Sequence, residues 1–155
     1  MGDTFDGIDI KEIEAVAKTM CSGGTVRDLR GFTDDEMEAM YSLGHNLYVT
    51  GQLEKADQVF RYLVFLDHAN TKFWFALGAV QQSRRQYARA SSSYAYAAFL
   101  DLENPKPLYH AAECFLALGD AEKAESALAA VDQFAPADSP YRAKAKDLAS
   151  RIKAA

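Results

Sequence analysis

The sequence predicts an all-α stack of three helix pairs, and three observations carry that expectation. Residues recur with a 34-residue period, small and large side chains keep fixed places within each period, and a short turn splits each period into halves. With registers begun at Met37, Thr71 and Pro105, position 7 reads Leu43, Leu77 and Ala111, and position 8 reads Gly44, Gly78 and Ala112. Position 20 reads Ala56, Ala90 and Ala124, and position 24 reads Phe60, Tyr94 and Leu128. Small residues at positions 8 and 20 let two antiparallel helices approach closely, and the large ones fill the gaps between them.

The elements follow in order. Asp9 to Glu12 reads as a capping box that opens an N-terminal helix. Ile10, Ile13, Ala17 and Met20 fall on one face of it, and Gly23-Gly24 stops it. That apolar stripe must be covered either by the repeats themselves or by a second copy of the chain, as a homodimer contact. Thr33 to Glu36 is a second capping box, with Phe32 and Met37 placed as a hydrophobic staple, so the first repeat helix spans about 34–50. Met40, Leu43, Gly44 and Leu47 are assigned to helix packing. Turns are expected at 50–52, 84–86 and 118–120; Gly51 and Gly119 suit a left-handed helix end, and Arg85 stands where they do in the middle turn. A loop at 135–140 precedes a final helix over 141–153 whose polar outer face suits a cap. The pattern is that of tetratricopeptide repeats (TPR). The chain divides into an N-terminal helix and linker (1–33), three TPR helix pairs (34–136) and a C-terminal capping helix (137–155), an α-solenoid expected to coil as a right-handed superhelix.

Composition narrows the function. Apolar residues make up 49% of the 155, enough for one domain with a core, and the net charge is −5. That balance argues against nucleic acid, which requires a basic face. No apolar run approaches the ~18 residues of a membrane span. The acidic start, Met1 to Asp6, lacks the basic and apolar regions of a signal peptide. Cys21 and Cys114 are too few for a disulfide framework, so a reducing cytosol is expected. His110 and Cys114 are four apart, but two ligands do not close a zinc site, and Cys114 reads as a buried thiol. Ser91 to Ser93 read as packing residues. The sequence carries no nucleotide, nucleophile or metal motif, so no enzyme and no cofactor is expected.

A second stripe lies beside the packing face. Tyr41, His45 and Tyr48 recur at helical spacing; the equivalent positions are Phe75, Ala79 and Gln82 in the second repeat, and Tyr109, Glu113 and Leu116 in the third. These positions line the inner surface of a TPR stack. An apolar groove with polar tips suits a polypeptide, since tyrosine gives large contact area with few rotors to freeze. The alternative is that Tyr41 and Tyr48 merely pack against the N-terminal helix.

Several stretches resemble the class II chaperones of bacterial type III secretion: LGHNLY at 43–48, LDH at 66–68, FWFALGA at 73–79, HAAEC at 110–114 and GGT at 23–25. The similarity covers about residues 10–135. It implies a chaperone of the bacterial cytoplasm that masks translocator proteins before export, by holding an extended N-terminal client segment in the concave groove. It also implies homodimers through the N-terminal region and, in some members, assistance to a transcriptional activator. The resemblance carries Tyr41 and Tyr48 over as groove aromatics, Leu66 as an apolar wall and Tyr94 as an aromatic one, whereas His45 and Leu53 stand where the family often has aromatics. The rival readings are a general TPR scaffold, in which Lys72 and Lys106 would clamp the carboxylate of a partner's C-terminus, and a regulator of a transcription factor.

Overall fold

The computed structural model describes residues 4–5 and 8–154; Met1 to Asp3, part of the start read for targeting, lie outside them. A hairpin of two-residue strands, β1 (Thr4–Phe5) and β2 (Ile8–Asp9), leads into α1 (Ile10–Cys21) and α2 (Val26–Arg30). The three pairs follow: α3 (Asp34–Val49) with α4 (Leu53–Leu66), α5 (Thr71–Ser83) with α6 (Tyr87–Leu100), and α7 (Pro105–Ala117) with α8 (Ala121–Phe134). Helix α9 (Pro140–Ala154) caps the stack against α8 and also touches α7. Among the first helices of the pairs, α3 reaches α5. No helix among the described residues is long and apolar enough to cross a membrane.

The repeat positions do the packing expected of them. Ala56, Ala90 and Ala124 are fully buried. A methyl group on Gly44 would meet Phe60 Cζ at 2.9 Å, and one on Gly78 would meet Tyr94 Cδ1 at 2.8 Å, so position 8 is small because position 24 lies across it. Thr33 and Glu36 form the reciprocal capping box, and Phe32 packs against the core that holds Met37. All three intra-repeat turns share one shape: Gly51 and Gly119 have φ of 78°, and Arg85 follows them at 59° despite its side chain. Ser91 and Ser93 are buried, Ser93 donating to Gln81 Oε1 at 2.8 Å.

Three expectations are corrected. Asp9 caps α1 through the Lys11 amide, but its box does not close, because Glu12 pairs instead with Arg30. Leu43, assigned to packing, is 53% exposed, while its counterparts Leu77 and Ala111 are buried. The later repeats have a preceding pair to cover this position, and the first has none. The segment read as linker contains α2, held by a Thr25–Asp28 capping box and by Val26 buried in the first core cluster.

Candidate peptide-binding groove

The candidate groove is built on the first helices of the pairs, α3, α5 and α7. Tyr41 and Tyr48 on α3 are half-buried, with Tyr41 set edge-on to Phe60 at 5.6 Å between ring centroids. The Tyr48 hydroxyl reaches Ser83 Oγ on α5 at 3.3 Å. His45 is exposed and stacks on Tyr41 at 6.5 Å, and the two border a shallow cavity of about 270 Å³. On α5, Phe75, Ala79 and Gln82 are half-buried and continue the strip. Tyr109 on α7 ends it, edge-on to Tyr141 of α9 at 5.5 Å.

A polar network ties α5, α6 and α7 together in the middle of the strip. Tyr94 donates to Gln82 Oε1 at 2.8 Å, Gln82 donates through Nε2 to Glu113 Oε2 at 3.3 Å, and His110 donates from Nδ1 to the same oxygen at 2.8 Å. The His110 bond holds the Glu113 carboxyl below its ordinary value against the burial that raises it, and Gln82 adds to the lowering. The ring of His110 lies 5.5 Å from Tyr94 and 5.7 Å from Phe75, so an aromatic cluster surrounds the network. Burial raises the Tyr94 hydroxyl well above its usual range and pushes the Cys114 thiol up to about 12. Both therefore stay protonated near neutral pH.

Not every residue expected in the groove is in it. Leu66 is fully buried in the first core cluster, so the free chain presents none of its surface to a client. Tyr94 is also buried and acts from beneath, positioning Gln82. Leu53 lies at the start of α4, half-buried against the first core cluster, and borders a depression at the turn end with Gly51 and Arg84. Lys72, one of the two residues favouring a carboxylate clamp, is engaged: its Nζ lies 2.8 Å from Glu38 Oε2 and 3.7 Å from the Tyr41 ring centroid, whereas Lys106 is exposed. His110 and Tyr141 escaped the sequence reading. His110 lies off the stripe of positions read as the inner surface, and Tyr141 lies outside the 34-residue frame. Ile10, Ile13, Ala17 and Met20 remain exposed on α1, which packs against α2 and β2 and leaves the stripe uncovered by the repeats.

The tetratricopeptide repeat family matches residues 37–70 and 71–104. The low calcium response locus protein H of Yersinia pseudotuberculosis is 38% identical over 138 residues, which span 89% of this chain and 80% of that protein. A type III secretion complex from Aeromonas hydrophila contains a chain that superposes with a TM-score of 0.83 at 34% identity, over 91% of this chain and 96% of that one. The secretion chaperone SycD of Yersinia enterocolitica, in complex with a peptide of the translocator YopD, superposes with a TM-score of 0.73 at 36% identity, over 79% and 95%.

Proposed function

The chain belongs to the class II chaperones of type III secretion translocators, the family of SycD, and from that premise we propose that it binds and masks a translocator protein by holding an extended client segment in the groove. The observation that carries this is the continuous strip of partly exposed rings along α3, α5 and α7, from Tyr41 and Tyr48 through Phe75 to Tyr109. Each ring offers an apolar face backed by packed helix, and Gln82, His110 and Glu113 supply polar partners for a client backbone between the anchors. Masking is an equilibrium function: apolar anchors of the client leave water for the groove, and no covalent step is needed. The exposed stripe of α1 supports a second part of the reading, a homodimer through that helix. Engagement of Lys72 by Glu38 and Tyr41 occupies one of the two cations that the carboxylate-clamp scaffold calls for.

The test is Tyr48→Ala, measured by calorimetry with an N-terminal translocator peptide and by thermal melting. Truncating an anchor of this kind costs roughly 2 kcal/mol, about a 30-fold loss of affinity. The melt should shift little, because the ring is half-exposed and its hydroxyl meets Ser83 near the surface. Unchanged binding would place the client elsewhere, and a collapsed melt would make Tyr48 a core residue instead.

A further inference from the structure

On the side of the second helices, away from the groove, another concavity opens between α4 and α6 with α5 as its floor, about 550 Å³ in volume. Phe65 and Trp74 give it apolar walls, and Arg61 and Arg89 line it with exposed guanidiniums. The apolar surface runs on beyond it. Phe65 is 54% exposed and stacks with Tyr62 at 6.4 Å; Phe99 is 74% exposed and lies 6.2 Å from Tyr96. Helix pairing does not call for these rings. The same helices bury Ala56, Phe60 and Leu63, and Ala90, Tyr94 and Ala97, on their other face.

The charge here opposes that of the whole chain. The chain carries −5, yet residues 84–89 include three arginines and no acid. Arg84 is held by Asp57 at 3.3 Å and reaches Glu54 at 3.9 Å, while Arg61 leans only on the shared Asp57 carboxylate at 3.8 Å. Arg89 has no carboxylate within ion-pair distance among the described residues. The turn leading into α6 also keeps Arg85 in a left-handed conformation that the other two repeats give to glycine.

We infer that this concavity is a second docking site, for a partner protein segment carrying carboxylates beside a large apolar side chain. The apolar side chain enters between Phe65 and Trp74, and the carboxylates pair with Arg61 and Arg89, whose planar guanidiniums suit two-point recognition. An extended polyanion is disfavoured by the net charge of −5. The site is independent of the client groove and faces away from it.

Fluorescence anisotropy on the full chain tests this, with a short labelled peptide of aspartate and glutamate around phenylalanine and leucine. A matched peptide carries lysine in place of each acid. Wild type should bind the acidic form about tenfold tighter than the lysine form, and Arg89→Glu should remove that preference. Ser92→Trp should block the concavity and weaken both peptides, whereas Tyr48→Ala should leave them unchanged. Arg89 pairs with no carboxylate among the described residues, so its variant keeps the test valid even if Ser92→Trp fails to fold, as circular dichroism would reveal. Equal binding of the two peptides overturns the site. So does a loss seen with Tyr48→Ala and not with Arg89→Glu, which would send the peptide to the groove. Arg89-dependent binding of phosphatidylserine vesicles in preference to the peptide would overturn it in favour of a membrane surface.

Discussion

Glu113 gathers hydrogen bonds from His110 and Gln82 at the centre of the groove, and both act on its ionised form. A carboxyl held below its ordinary value contributes stability that is fully present above that value, 4.5, and lost as pH falls through the lowered one. Replacing it with an amide removes the contribution. Glu113→Gln should therefore be less stable than wild type at pH 7, with the difference shrinking in melts taken on the acid side of 4.5; a constant difference would mean the carboxylate is not held ionised by its neighbours. Ala90 tests the repeat frame at the same scale. It has no exposed surface and sits in a cluster with Tyr94, Ala111 and Cys114. Ala90→Leu should cost about 1–3 kcal/mol by overpacking. Each kcal/mol should lower the midpoint by roughly 2–4 °C in a chain of this size; an unmoved midpoint would contradict the packing.

At the scale of elements, α1 differs from every helix after it. It buries none of its residues, while α3 to α9 each bury at least one. Its stripe lies at the same end of the stack as Leu29 and Leu43, which are also exposed. Two copies meeting there would cover apolar surface that the repeats leave in water. Ile13→Asp would set a charge inside such a contact, where it is costly without a partner. Sedimentation should then shift from dimer towards monomer with helicity unchanged. A wild-type chain that stays monomeric at high micromolar concentration would remove α1 from the assembly.

At the scale of the molecule, the repeat makes two surfaces from one pattern. First helices turn tyrosines, Phe75 and the Gln82–Glu113 network towards the groove. Second helices turn Phe65, Phe99 and the arginines outward. The repeats and their turns were legible in the chain because each depends on neighbours at fixed spacing. Gly78 must be small since Tyr94 recurs sixteen residues later on the facing helix, and Arg85 must adopt the shape of Gly51 and Gly119 because the same two helices must join. Helix α2 was legible in principle, through Thr25 and Asp28, yet its short span offered no periodicity to read. What the sequence by itself determined is thus the local pairing, where period and side-chain size coincide. Only the tertiary structure decided which apolar residues meet water: Leu66 sinks into the core, and Leu43 and the α1 stripe stay exposed. The reason is that exposure depends on what lies across from a residue: α2 covers part of the first repeat through Val26, but no helix pair precedes that repeat to cover Leu43, and among the described residues nothing lies over the outer face.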